Sequence, residues 1–318
     1  MSLIEQAAKR LEQLRKAGVE VYSPAGAGEA PTPDSSIPHQ PPARMAPASP
    51  LMRSSAGATA PSAAVSRRVE LDLNALSATG LISPDAPRSR IADQYRVIKR
   101  PLIANAMAKG AAPIKRGNLI MVTSAISGEG KTFTAINLAM SIAMELDNTV
   151  MLVDADVPKP SVLKMLGLSP GPGLLDVLTD QSVELSQVLM RTNVDKLSIL
   201  PSGTQHARAT ELLASDAMIR LLDEMANRYP DRIIIFDSPP LLMTTESRVL
   251  ATHMGQVVVV VRAERTARSD VRHALAAIDA CPVKLVLLNQ ARTSTQDGYG
   301  YGYGYGYGYG YGYGEGGA

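Results

Sequence analysis

Ser124-Ala-Ile-Ser-Gly-Glu-Gly-Lys-Thr132 lies directly between an apolar run at 118–124 and a helical pattern at 133–146. Gly128 and Gly130 let the backbone wrap tightly enough for successive amides to face one point, and the helix starting near Lys131 adds the positive end of its dipole. Such a segment works only with a buried strand in front and a helix behind, so it dictates the central unit of the fold. The spacing is that of a phosphate-binding P-loop, with Ala125 standing where the pattern usually has its first glycine. On this pattern Ser127, Gly128, Glu129, Gly130, Lys131, Thr132 and Phe133 surround a nucleoside triphosphate. Lys131 bridges the β- and γ-phosphates, and the Thr132 hydroxyl ligates Mg²⁺. The Asn-Lys-x-Asp motif that reads guanine does not occur, which favours ATP.

Five further apolar runs rich in branched residues, at 150–153, 197–200, 233–236, 257–261 and 285–288, alternate with helical patterns such as 210–228. Strands apolar on both sides and separated by helices predict an α/β fold of the P-loop NTPase type: a doubly wound, mostly parallel sheet with helices on both faces. Two runs end on acids. Val150-Met-Leu-Val-Asp-Ala-Asp156 carries carboxylates two residues apart, which on an extended chain point to the same side. Ile233-Ile-Ile-Phe-Asp-Ser-Pro-Pro240 ends on Asp237. The carboxyl ends of parallel strands line the ligand crevice. Asp154, Asp156 and Asp237 are therefore expected at the phosphate loop, with Thr132, Asp154 and Asp237 on the metal and an attacking hydroxyl oriented beside them. Any one of these acids alone equally suits a helix or turn cap.

Outside this core, residues 1–22 form a short amphipathic helix, with Leu3, Ile4, Ala7, Leu11, Leu14 and Ala17 mostly three and four apart. Its narrow apolar face suits capping or docking better than membrane insertion. Residues 23–66 are Pro, Ala, Ser and Gly with almost no large apolar side chain, and are expected to stay disordered. The segment 67–117 opens with alternating Val69, Leu71 and Leu73 and continues as a helix over 88–109. The nucleotide-binding domain spans 118–297, and 298–318 is a Tyr-Gly tail. Up to Arg116 there are 16 basic against 9 acidic residues, and beyond it 16 against 21. The basic residues are scattered with few aromatics among them, which argues against nucleic acid as a partner. Cys281 is the only cysteine, which fits a reducing cytoplasm. There is no run of about 18 apolar residues, so attachment to a membrane is expected to run through another protein.

The Gly-Glu-Gly-Lys-Thr loop, Leu-Val-Asp-Ala-Asp, Asp-Ser-Pro-Pro, the Leu200-Pro-Ser-Gly203 turn and Ala209-Thr-Glu-Leu-Leu-Ala-Ser215 resemble the bacterial tyrosine kinases (BY-kinases) of polysaccharide export. Asp93-Gln-Tyr-Arg-Val-Ile-Lys-Arg-Pro101 is similar to the soluble autokinases of exosortase-associated exopolysaccharide clusters. The resemblance implies ATP and Mg²⁺ as cofactors and Lys131 and Thr132 as their contacts. It makes Asp154 the acceptor or orienter of a tyrosine proton, with Asp156 and Asp237 supporting the metal. It also implies a homo-oligomeric ring joined through Asp93, Arg96 and Lys99, where two of the three residues depart from the family's Glu-x-x-Arg-x-x-Arg while keeping charge. Its implied partners are a separate membrane chain-length-determinant protein as activator, at the inner face of the plasma membrane, and a phosphotyrosine phosphatase.

On that basis Tyr299, Tyr301, Tyr303, Tyr305, Tyr307, Tyr309, Tyr311 and Tyr313 are the expected autophosphorylation sites. Alternating glycine leaves each ring exposed and its neighbours interchangeable. From Asn289 to Tyr299 the chain reaches at most roughly 35 Å, enough to enter a neighbouring copy. Full phosphorylation adds roughly −12 to −16 charges, a load expected to expel tails and loosen a ring. Competing readings are an ATPase switch of the cell-division or partitioning type, whose second lysine is here Ile126, and an ATP-dependent scaffold of a polysaccharide machine. Asn289 and Arg292, after the last strand, are the guesses for adenine contacts.

Overall fold

The computed structural model of the chain describes residues 66–86, 88–107, 113–228 and 231–291. The expected helix at 3–17, the linker up to residue 65, Arg292 and the Tyr-Gly tail lie outside the described residues.

Eight strands among the described residues share one sheet: β1 (Arg67–Arg68), β2 (Leu119–Ser124), β3 (Thr149–Asp154), β4 (Met190–Arg191), β5 (Leu197–Leu200), β6 (Arg232–Asp237), β7 (Gln256–Arg262) and β8 (Val283–Asn289). Their order across the sheet is β1-β4-β5-β3-β6-β2-β7-β8, and every pair is parallel except β4 with β5. The six expected apolar runs all fall on these strands. Every residue of β2 is buried, as are the residues of β3 and β6 after their first position. That is what a sheet covered on both faces requires. The edge strand β8 differs. Its residues alternate between partly buried and exposed, leaving Val286 and Leu288 54% and 61% exposed.

The helices are α1 (Leu73–Ala78), α2 (Arg90–Ala106), α3 (Lys131–Ala143), α4 (Val162–Met165), α5 (Leu174–Thr179), α6 (Leu185–Val188), α7 (Ala209–Leu213), α8 (Asp216–Arg228), α9 (Thr245–Thr252) and α10 (Arg268–Ala277). The helical pattern at 210–228 proves to be two helices, α7 and α8, broken around Ser215. The short α4, α5, α6 and β4 carry too few residues to show a period. At the N-terminal end the alternation of Val69, Leu71 and Leu73 is not a strand. Asp72 accepts from the Ala75 amide and caps α1, so Leu73 is the first residue of a helix.

The segment before β2 is built into the same core. Val69, Leu71, Leu76, Leu81 and Ile82 are buried in the cluster that includes α2, α3 and one face of the sheet. Asn193 holds Leu71 through both its amide and its carbonyl (2.9 and 3.1 Å), and Asn137 on α3 accepts from the Ile82 amide at 2.7 Å. Buried Gln256 donates to the carbonyls of Leu102 and Gly117 and accepts from Asn105, tying the end of α2 to the sheet. These bonds satisfy polar groups that burial leaves without water.

Helix α2 buries Ala92, Tyr95, Lys99 and Leu102, a stripe spaced three and four apart that faces α3. Lys99 is therefore not on an outward face with Asp93 and Arg96, as a ring-forming trio requires. It is 4% exposed, donates to the Ser141 carbonyl at 2.5 Å and pairs with Glu145 at 2.7 Å. Asp93 and Arg96 pair with each other on the exposed side, and Arg100 is the basic residue that stays outward next to them. The cause is the helical period: position 99 follows 92 and 95 on the apolar stripe.

Removing Lys99 strips a carbonyl and a carboxylate of their shared cation. Lys99→Ala is expected to lower the unfolding free energy by about 2–3 kcal/mol, while Arg100→Ala, on the exposed side, stays within about 0.5 kcal/mol of the parent. Urea unfolding followed by circular dichroism measures both.

Candidate active site

Strand β2 delivers the chain to Ser124, whose hydroxyl donates to the Ile126 carbonyl at 2.6 Å. Ala125 is fully buried with an ordinary φ, so this position needs no glycine. Gly128 and Gly130 have φ of 84° and 92°, in the left-handed region. A Cβ on Gly130 would also lie 2.2 Å from the Asn289 amide nitrogen, so only glycine fits there. Ser127 and Gly128 form the exposed tip of the loop, and α3 begins at Lys131 with buried Thr132 behind it. The Phe133 ring packs into the core, which leaves its backbone amide for a phosphate.

Glu129 was expected among the groups around the nucleotide, but its side chain turns inward. It is almost completely buried, and it accepts from the Ile126 amide at 2.8 Å and from the Thr266 hydroxyl, with the Arg262 amide 3.4 Å away. From the other side Asn289, the last residue of β8, donates to the Glu129 carbonyl at 2.9 Å. The loop is thus braced on the ends of β7 and β8. Asn289, guessed from sequence as an adenine contact, has its amide nitrogen committed to the loop backbone, and its oxygen accepts from Gln290.

The three acids converge on this loop. In the register of β3 and β6, Asp154 lies directly beside Asp237. Asp156, two residues on, pairs with the Lys131 ammonium at 2.5 Å, both groups being nearly buried. Asp237 is 0% exposed and neither of its carboxylate oxygens has a hydrogen-bond partner. Burial pushes its pKa up to about 7, against the pull of Lys131 and Thr132, while Asp154 and Asp156 push it further up. Asp154 divides its duties. One oxygen accepts from the amides of Ser161 and Val162 (3.1 and 3.0 Å) at the start of α4, and the other is buried without a partner. Burial raises its pKa to about 6, its amide bonds notwithstanding.

Three unpartnered, buried carboxylate oxygens beside a threonine hydroxyl are a donor set that fits Mg²⁺. Mg²⁺ usually takes one or two carboxylates and fills its remaining positions with phosphate oxygens and water. Alongside Asp154 opens a cleft of about 860 Å³, bounded by Pro160, Leu163, Leu168, Pro172 and the turn at 201–204. The inward turn of Glu129 and the tie from Asn289 escaped the sequence because their partners, Thr266 and the loop carbonyl, lie more than 130 positions away along the chain. Among the described residues no helix is long and apolar enough to cross a membrane.

A sequence profile described as an AAA domain matches residues 117–288, more than half of the chain. The chain is 32% identical over 221 residues to the tyrosine-protein kinase YwqD of Bacillus subtilis, an overlap of 69% of this chain and 89% of that protein. It is 30% identical over 194 residues to the succinoglycan biosynthesis transport protein ExoP of Rhizobium meliloti, covering 60% of this chain and 23% of that one. Several other curated relatives are also longer, and the chain spans 20–24% of their length. Among solved structures, the chimerical protein CapA2B2 superposes with a TM-score of 0.57 at 26% identity, over 72% of this chain and 95% of that one.

The raised carboxyl groups give a signed pH dependence. A carboxyl whose folded pKa lies above its unfolded value adds stability below the unfolded value and loses it as pH rises through the folded one. Asp154 and Asp237 therefore take stability from the nucleotide-free protein between about pH 4 and 7, an effect that levels off above. Asp237→Asn, neutral throughout, is expected to lie close to the parent near pH 4 and to exceed it by roughly 4 kcal/mol at pH 8. Thermal unfolding across that range checks the crossing, and a parallel offset at every pH would contradict it.

Proposed function

The chain belongs to the bacterial tyrosine-protein kinases, and from that premise we propose that it transfers the γ-phosphoryl group of ATP to tyrosines of its own 299–313 cluster. The observation that carries this is the meeting of Asp154, Asp156 and Asp237 with Lys131 and Thr132 at the mouth of a glycine-shaped loop.

In this mechanism the amides from Ser127 to Phe133 and the start of α3 bind the β- and γ-phosphates. Lys131 exchanges Asp156 for those phosphates, so the ammonium is never without a partner. Thr132 and Asp237 would hold Mg²⁺, since both Asp237 oxygens are available and only one of Asp154 is. Held there, the ion would supply charge neutralisation on the phosphates. The unpartnered oxygen of Asp154 orients the tyrosine hydroxyl and takes its proton. The phenolic oxygen then bonds to the γ-phosphorus, the bridging P–O bond to the β-phosphate breaks, and ADP leaves.

The tail is the acceptor because the one tyrosine among the described residues is not available. Tyr95 is 5% exposed, and burial holds its hydroxyl up at about 12. Using it would mean dismantling the α2–α3 contact. Transfer runs between copies, in a ring that forms through the outward side of α2. Asp93, Arg96 and, in place of the inward Lys99, Arg100 are its charged residues. The likeness to a polysaccharide transport protein supports a role in exopolysaccharide export. There a membrane chain-length-determinant protein activates the kinase at the inner face of the membrane, and a phosphotyrosine phosphatase resets the tail.

Mass spectrometry of the purified chain is expected to find phosphotyrosine on residues 299–313, and none with Lys131→Met. Asp154→Asn is expected to cut turnover by about 10²–10⁴ while nucleotide affinity stays within a few-fold. Incubating Lys131→Met protein with active, tailless protein tests transfer between copies. An unlabelled Lys131→Met tail would exclude it.

A further inference from the structure

The last strand of the sheet is unfinished on its outer side. Among the described residues no strand other than β7 pairs with β8. The Asn289 carbonyl accepts from the Ala263 amide at 2.9 Å, so the backbone groups of Asn289, Leu287 and Leu285 face β7. Strand geometry alternates, and the N–H and C=O groups of Lys284, Val286 and Leu288 therefore face the open edge.

The two side-chain faces of β8 differ. On one, Leu285 and Leu287 pack against the cluster around α2 and α3. On the other, Val286 and Leu288 stand beside Val259 and Val261 of β7 and remain 54% and 61% exposed. An edge strand that shows apolar side chains is a template for pairing with another segment, and proteins blunt such edges with charge or proline. Beyond Lys284, β8 carries neither.

We propose that the chain's own Tyr-Gly tail covers this edge, laid antiparallel along β8 as a further strand with its rings on Val286 and Leu288. The strict alternation puts every tyrosine of 299–313 on one side of an extended chain and every glycine on the other. Rings opposite Lys284, Val286 and Leu288 give the aromatic and aliphatic cross-strand pairs that stabilise sheets. The glycines then fall on the side of Leu285 and Leu287, which already packs on the core. A slip of two residues keeps every ring on its side, so the repeat offers several equivalent registers.

The tether selects this occupant over a second copy. Residues 290–298, between β8 and the first tyrosine, carry no large apolar side chain and end in Asp297-Gly298, a turn-forming pair. So short a link suits an antiparallel return and is less than a parallel crossover needs. It also holds the tail near the edge at an effective concentration of about millimolar. Resting on the kinase reading above, the docked tail is an acceptor withheld from other copies until it leaves β8.

Hydrogen–deuterium exchange on the full-length chain, treated with phosphatase and free of nucleotide, tests the dock without any phosphoryl transfer. The comparison is a full-length variant whose eight tail tyrosines are serine. The amides of Lys284, Val286 and Leu288 are expected to exchange at least about tenfold more slowly in the parent, with the β2 amides as an unchanged reference. Equal exchange at all three overturns the dock. Val286→Asp, which sets a charge beneath the rings, is expected to lose the same protection, and protection retained in the folded variant overturns the contact with the apolar stripe. If Val286→Asp does not fold, the serine-tail chain, in which β8 is untouched, decides. Protection that vanishes on about hundredfold dilution assigns the edge to another copy and overturns the intrachain tail. With Mg²⁺ and ATP, folded Val286→Asp is expected to label its tail at an initial rate at least about threefold above the parent. An unchanged rate overturns the withholding and leaves the dock. Absence of phosphotyrosine on every chain removes the kinase reading and the withholding, while the exchange result still decides the dock.

Discussion

A loop of six residues between a strand and a helix has no means of holding its own shape. Here the Glu129 side chain does that work. Its carboxylate, closed off from water, gathers the Ile126 amide and the Thr266 hydroxyl, and its carbonyl takes the Asn289 amide. One residue thus joins β2, β7 and β8 at the rim where the sheet meets its ligand. Without it, a partly buried amide and a partly buried hydroxyl lose their acceptor, a penalty of about 1 kcal/mol for each group. The left-handed glycines shape the loop, but the carboxylate decides where the loop stands relative to the acids on β3 and β6.

Those acids make the site electrostatically uneasy. Asp154 and Asp237 are neighbours in register, both are buried, and the Lys131 charge is committed most closely to Asp156. Burial raises both neighbours well above the ordinary carboxylate range, as expected where carboxylates gather with too little countercharge. A structure selected for stability alone would fill these positions with apolar side chains. Keeping them spends stability for readiness toward a cation and a polyphosphate.

The sheet was legible because buried parallel strands are written as unbroken branched runs, and the phosphate loop because its chemistry tolerates few spellings. The convergence of Asp154 and Asp237 followed from strand ends alone, a rule of topology that needs no contact information. What the sequence hid was mostly orientation. Lys99 looked like a surface charge until counted with Ala92 and Tyr95, when it falls on the stripe facing α3. Asp154 was weighed as either a cap or a functional acid, and its two oxygens divide between these roles. The clamp of Asp176 on Gly173 and Thr204 joins residues 28 apart through a single carboxylate oxygen, and nothing in the local pattern marks it.

The tie between Asn289 and the phosphate loop also fixes where the chain can be cut. The apolar residues of β8 end at Leu288, and a tailless protein designed from hydrophobicity would stop there. That cut removes the side chain holding Glu129 from behind, along with Gln290, whose amide donates to the Asn289 side-chain oxygen. A deletion placed there would disturb the nucleotide site itself, so a shortened chain has to keep Asn289.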